Sequence, residues 1–229
     1  IVCKKMDANQ HQSLLRAIAI SAAASPVLVS IITPLSREES FRTLEDFKKY
    51  SNRIPITVTL LQTECHSFQM SDGTSLDITA STKLYALGIF ESFFKTGYAK
   101  LSGEQDRLAL RNALMTAAKQ LQHQQTQLHI NATANHANNN DYTSVLSSIE
   151  NEGRILAMKI AALLAELAIR EFPQRWPTFI SDLFSEQTGL WSNTAASNPQ
   201  NQQPPSDGYG PMIGIKMTLE CLKQITEDC

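Results

Sequence analysis

Residues 159–184 read KIAALLAELAIREFPQRWPTFISDLF, and the parsing of this stretch decides the class of the whole chain. Leu156, Ile160, Leu163, Leu164 and Leu167 recur at i, i+4, i+7, i+8 and i+11, which is one face of an α-helix. Glu152, Lys159, Glu166 and Arg170 mark the other face, with Glu166 and Arg170 an i,i+4 pair in the favourable order. The helix must end near Phe172, because Pro173 has no N–H and biases its predecessor away from the helical region. Pro177 suits the first turn of a second helix, where a missing N–H costs nothing. Phe179, Ile180, Leu183 and Phe184 supply that helix's apolar face. Two helices joined by so short a link fold back on each other, so the stretch is a helical hairpin.

Composition extends the helical reading to the rest. The 229 residues are 42% hydrophobic and 18% charged, enough to bury a core in one or two domains. Glycine and proline are scarce, strand-type alternation is nearly absent, and Leu, Ala, Gln, Lys and Glu dominate the periodic segments, which favours an all-α class. A net charge of −2 gives no global basic footprint for nucleic acid. Cys3, Cys65, Cys221 and Cys229 fit neither a metal-binding spacing nor a dense disulfide framework, so reduced, mostly buried thiols in a cytosolic or nuclear protein are the simple reading. Lys4 and Lys5 precede polar residues rather than an apolar signal-peptide core, and no apolar run reaches membrane-spanning length. Asn131-Ala132-Thr133 matches a glycosylation sequon by chance. The chain starts at Ile1 and stops at Cys229, within the helical pattern Gly214–Asp228, and is read as a piece of a longer chain.

In chain order, Ser13–Ala24 reads as a short helix, and the β-branched Val27–Leu35 as a helix extension or extended connector. Ser36-x-x-Glu39 is a capping box opening a helix to Tyr50 with Phe41, Leu44 and Phe47 inward. Pro55 starts a helix to about Met70, with Val58, Leu60, Leu61 and Cys65 inward, and Ser71-Asp72-Gly73 is a turn. Leu76–Gly97 is strongly apolar: Leu84, Leu87, Gly88, Phe90, Phe93 and Phe94 cover more than half its circumference. Ser102-x-x-Gln105 caps Gly103–Gln122, lined by Leu108, Leu110, Leu114, Met115 and Leu121. The polar Gln122–Asn140 reads as a low-complexity loop or frayed helix end, Asp141–Phe172 as the long helix, and Glu186–Gly210 as a disordered low-complexity loop. Pro211–Asp228 is the last helix. Eight helices make four antiparallel pairs, each with an apolar face too large to bury alone, which points to stacking in units of ~40–47 residues.

The hairpin residues Glu171-Phe172-Pro173-Gln174-Arg175-Trp176-Pro177-Thr178-Phe179 resemble the E-(W/F)-P-x-x-W-P-x-(F/M) segment of nuclear transport receptors of the importin-β superfamily, the exportins especially. Trp176-Pro177-Thr178-Phe179-Ile180-Ser181-Asp182 is similar to the exportin for leucine-rich export signals, whereas Ala161–Glu171 looks more like the Hasty or exportin-five type. Lys83–Lys95, Leu110–Met115 and Leu222–Asp228 resemble further exportin segments in the same order, so the likeness covers about residues 36–229. It departs at Tyr98, which stands near the place of a family tryptophan, and in longer Asn/Gln-rich loops.

The resemblance implies a right-handed solenoid of HEAT-like antiparallel helix pairs, about four in number, spanning 1–229 as the N-terminal region of a receptor. It implies binding of the small GTPase Ran in its GTP form, of protein or structured-RNA cargo and of nuclear pore proteins, with shuttling between nucleus and cytoplasm. No cofactor, metal or enzymatic activity is expected. The inner helices would be Ser36–Tyr50, Leu76–Gly97 and Asp141–Phe172, and their polar positions give the Ran-binding candidates Lys83, Glu91, Lys95, Glu152, Lys159 and Glu166. For each of these a solvated salt-bridging face is the plain alternative. A HEAT scaffold or adaptor subunit without Ran binding, or another importin-β-type transport receptor, are the rival readings.

No constellation for catalysis assembles. Gly208-Tyr209-Gly210 with Gly214 misses the dinucleotide spacing, because position 213 is Ile213 and no strand precedes it. His123, His129 and His136 sit in a polar stretch at spacings unusual for zinc. Cys65-His66 has no third partner of its own and reads as a buried thiol. Glu171 and Asp182 flank the turn as helix-capping groups rather than a catalytic pair, and Trp176 reads as a wedge between stacked helices rather than a partner-binding anchor.

Overall fold

The computed structural model describes residues 8–22, 34–50, 52–69, 75–101, 103–135, 142–184 and 218–226. They fall into two compact units, Ile1–Lys100 and Leu101–Cys229. The described residues are mostly helical, as the composition predicts.

The first unit holds α1 (Ala8–Ala22), α2 (Pro34–Lys49), α3 (Arg53–Gln62), β1 (Ser67–Gln69), β2 (Ser75–Asp77), α4 (Thr79–Thr96) and a 3-10 turn at Tyr98–Lys100. Leu14, Leu15, Ala17 and Ile18 give α1 a fully apolar side that packs on α2 and α4. Tyr85 on α4 donates its hydroxyl to the Leu44 carbonyl of α2 at 2.8 Å, and its ring lies 6.2 Å from that of Phe47. Leu60 and Leu61 of α3 meet α4, whose Ala86, Leu87, Ile89 and Phe90 are buried. The end of α4 is an aromatic cluster in which Phe94 meets Tyr98 edge-on at 5.5 Å. Tyr98 thus fills a core position next to the helix it follows.

Four expectations for this unit are corrected. Phe41 is not in the apolar stripe of α2 but 64% exposed; Leu44 and Phe47, with Ser40, are buried on the inward side. Helix α2 begins at Pro34, so Ser36 lies inside it rather than at its cap. Helix α3 stops at Gln62, because Thr63 turns extended at φ −69° and ψ 128°, so Cys65 is exposed and His66 is the buried neighbour. The chain then forms a two-stranded antiparallel hairpin where helix was expected, with Phe68 opposite Leu76. Ser67-Phe68-Gln69 and Ser75-Leu76-Asp77 alternate polar, apolar, polar, a period-2 pattern too short to stand out. The Ser71-Asp72-Gly73 turn and residues 27–33 lie outside the described residues.

The second unit holds α5 (Glu104–Asn135), α6 (Tyr142–Glu171) and α7 (Phe179–Phe184), and residues 218–226 are helical. Leu110, Ala113, Leu114, Ala117, Ala118 and Leu121 form the buried face of α5, and Leu156, Ile160, Ala161, Leu163, Leu164, Leu167 and Ala168 that of α6. These two helices pack on each other, and their alanines permit close approach. Leu108, read as inward, is half in solvent. Helix α5 runs to Asn135, through much of the stretch 122–140 expected as a loop or frayed helix end. No Gly or Pro interrupts Glu104–Asn135, and Gln, Ala and Leu tolerate helix well, so polarity alone does not end it. Residues 136–140 and the stretch 186–210 lie outside the described residues.

Candidate functional site

The turn between α6 and α7 is built on one carbonyl. Phe172 N–H closes the last turn of α6 on Ala168 at 2.8 Å. The Glu171 carbonyl then accepts from both Arg175 N–H at 2.7 Å and Trp176 N–H at 3.0 Å, which satisfies one of the orphan acceptors of the helix end. The Phe172–Pro173 peptide is cis. Trp176 carries its ring back into the unit, where it is 0% exposed. Its indole N–H donates to Asp182 Oδ2 at 2.6 Å, and the Thr178 hydroxyl donates to the same oxygen at 3.0 Å. Asp182 lies in the first turn of α7, where the helix dipole also favours its charge.

Helix α5 completes the clasp. The Arg111 guanidinium lies over the Trp176 ring, 5.0 Å from its centroid, while Phe179 meets the same indole edge-on at 4.9 Å. One turn earlier, Arg107 Nε stands 3.9 Å from the buried Glu171 carboxylate, and its guanidinium donates to the Leu101 carbonyl. Trp176 is therefore fully enclosed, with Arg111 over its ring, Phe179 edge-on to it and Asp182 at its N–H. Such a ring locks two helices and leaves no surface for a partner. What the turn does present to solvent is Phe172, Ile180 and Phe184, together with Ile169 just before it. Ile180 and Phe184, expected inward on α7, are on its open side; Phe179 and Leu183 carry the buried side.

Residues 153–229 match the family described as exportin 1-like protein. The matched stretch takes in most of α6, the whole Trp176 clasp, α7 and helical residues 218–226, and spans a third of the chain. The first unit lies outside it. No curated protein and no solved structure gave a match.

The six charged candidates from the sequence are divided between the two units, three in each. Lys83 is 3% exposed and is corrected from a surface position to a buried one. It stands among the buried Thr82, Ala86 and Leu87 of α4, so its aliphatic stem packs while burial pushes its pKa below the ordinary 10.5, opposed by nearby Glu64 and Cys65. Glu91 and Lys95 make an exposed i,i+4 pair at 2.9 Å on the same helix. On α6, Glu152 is exposed, Lys159 is half-buried, and Glu166 is paired with Arg170. Glu91–Lys95 and Glu152–Lys159–Glu166 belong to different units.

His66 forms a small polar centre of its own in the first unit. Its Nε2 stands 2.8 Å from the Leu60 carbonyl, its backbone N–H donates to Thr79 Oγ1 at 2.8 Å, and its carbonyl accepts from Ile78 N–H at 2.9 Å. Burial lowers its pKa, the Leu60 bond raises it, Lys83 and His11 lower it and Asp77 raises it. This arrangement roots the hairpin onto α4 and brings no nucleophile to a base. A cleft of about 100 Å³ between α1 and α2, lined by Arg16 and Glu39, is smaller than the ~300 Å³ that small-molecule sites start from. Among the described residues, no group of three or more His, Cys, Asp or Glu side chains is placed to hold a metal, and no helix is long and apolar enough to cross a membrane.

The sequence did not point to Asp182 as the indole acceptor, nor to Arg107 and Arg111. The two arginines do share an i,i+4 face, but nothing local says which element that face meets.

Proposed function

We propose that this chain is a segment of a nuclear export receptor of the importin-β superfamily, of exportin-five type, in which HEAT-like helix pairs stack into a right-handed solenoid. The observation that carries the reading is the match of residues 153–229 to exportin 1-like proteins across α6, the Trp176 clasp and α7. The buried, doubly braced indole supports it, because a stack of helix pairs needs rigid joints between helices. In this reading the receptor binds Ran in its GTP form together with protein or structured-RNA cargo, passes the pore through nuclear pore proteins, and shuttles between nucleus and cytoplasm. It acts by binding alone, without a cofactor or a reaction of its own. A solenoid whose repeats touch only their neighbours sums small rotations, so one ligand biases the curvature that another ligand requires.

The test is a pull-down of the chain on immobilised Ran loaded with GTP or with GDP. Retention on the GTP form and not on the GDP form is expected. Equal retention on both, or none on either, overturns the Ran-dependent reading in favour of a HEAT scaffold.

A further inference from the structure

The turn that carries Trp176 also presents a hydroxyl to solvent. Thr178 is exposed and lies outside the helices, just before α7 begins at Phe179. Arg175, three residues before it, is exposed as well. Arginine at that distance is a substrate charge pattern that basophilic serine/threonine kinases select. The same Arg-x-x-Ser/Thr spacing recurs at Arg37 and Ser40. There the hydroxyl residue is 5% exposed and sits inside α2, so the structure separates the two matches.

A hydrogen bond gives Thr178 its consequence. Its hydroxyl donates to Asp182 Oδ2 at 3.0 Å, the oxygen that also takes the Trp176 N–H at 2.6 Å. Phosphorylation removes the donated proton and sets a charge of about −1.5 to −2 beside that carboxylate. Repulsion then acts on the acceptor that holds the indole. Arg175 is the nearest cation in sequence, but it is in water, where an ion pair offsets little.

We infer that Thr178 is a phosphoacceptor site for an arginine-directed protein kinase, and that its phosphate releases the Trp176 clasp. The phosphoryl donor is Mg-ATP. The bond from the γ-phosphorus to the ADP oxygen breaks, the bond to Thr178 Oγ1 forms, and the hydroxyl proton passes to the kinase's catalytic carboxylate. Trp176 is buried between Arg175 and Thr178, so a kinase that reads both meets them when the turn opens. Phosphorylation of the open turn and weakening of the closed one are two sides of one linkage. The inference does not rest on the transport reading, and its test contains no Ran.

The probe is calcium/calmodulin-dependent kinase II with Mg-ATP, acting on the whole chain. Peptide mapping by mass spectrometry should find phosphate on Thr178. Arg175→Ala should slow that labelling about tenfold or more, and Arg175→Lys, which keeps a cation, should slow it less. Hydrogen exchange reads the clasp itself. The Arg175 and Trp176 amides both bond the Glu171 carbonyl in the closed turn. Their exchange should quicken about tenfold or more in the phosphorylated chain. Thr178→Glu, with one carboxylate in place of the phosphate, should quicken it about threefold and carries this measurement without a kinase. Phosphate absent from Thr178, labelling of Thr178 at an unchanged rate in Arg175→Ala, or exchange at Arg175 and Trp176 unmoved by the added charge each overturns the inference.

Discussion

The Trp176 indole N–H reaches the Asp182 carboxylate at 2.6 Å, and this bond joins the turn leaving α6 to the first turn of α7. The residues are six apart, so the contact is local, but Arg111 and Phe179 make it part of the core by packing against the ring. Proline on either side of the turn residues narrows the backbone's choices, and the indole does the rest.

Removing the ring should therefore cost stability rather than binding. Trp176→Ala leaves a large cavity and an unpaired Asp182, and is expected to lose roughly 3–5 kcal/mol of unfolding free energy. Asp182→Ala keeps the ring but strands a buried N–H, for about 1–3 kcal/mol. Urea denaturation followed by circular dichroism measures both. A Trp176→Ala chain with an unchanged midpoint would show that the ring is not part of the core.

The helical class and the α6 hairpin were legible because both rest on period and punctuation. Leu156, Ile160, Leu163, Leu164 and Leu167 keep one face over several turns, and Pro173 marks a stop. Where the reading failed, the deciding information was tertiary. Cys65 and His66 are neighbours whose places inside and outside depend on Thr63 leaving the helix. Lys83 was read as a polar position, but α4 is packed on more than one side and takes the lysine stem inward. The Gln/Asn-rich continuation of α5 has the polarity of a loop but no helix breaker, and the helix runs on to Asn135. The clasp residues Arg107, Arg111 and Asp182 each carry an ordinary local signal, and only the fold brings them to one tryptophan.

His66 makes the stability of the first unit depend on pH. Burial holds its folded-state pKa below the ordinary 6.5. The unfolded chain therefore takes up a proton near pH 6.5 that the folded chain refuses until lower pH, so stability is fully present above 6.5 and is lost as the pH falls below it. His66→Gln keeps a donor for the Leu60 carbonyl and removes the titration. Between about pH 7.5 and 5.5 the wild type should lose more stability than the variant. Parallel curves would mean that His66 does not govern the change.

The two described cysteines should differ sharply in reactivity. Cys65 is exposed, whereas burial pushes the Cys221 thiol up to about 12, so almost none of it is thiolate at neutral pH. Brief alkylation of the native chain followed by peptide mapping should label Cys65 at least a hundredfold faster, roughly, than Cys221. In denaturant the two should react alike. Rapid native labelling of Cys221 would show that its helix opens readily.

The proposed Ran contact can be separated from folding by a choice of charges that the structure makes possible. Reversing Lys83 would test burial, because that side chain is inside the first unit. Glu91 and Lys95 are in solvent and paired, so Glu91→Lys with Lys95→Glu keeps an i,i+4 pair and inverts the local field. The reversed order costs a few tenths of a kcal/mol at most. On α6, Glu152→Lys with Glu166→Lys reverses the acidic positions at the rim, and Arg170 loses its partner. Exposed charges at an interface rim act mainly on association rate and its salt dependence. Ran-GTP association is therefore expected to slow by about tenfold, with a shallower or steeper salt slope, in whichever pair lines the contact. Melting temperatures should stay within a few degrees of wild type. Unchanged rates and salt slopes in both pairs, with the wild-type chain binding normally, would remove both faces from the contact and move the search to the remaining helices.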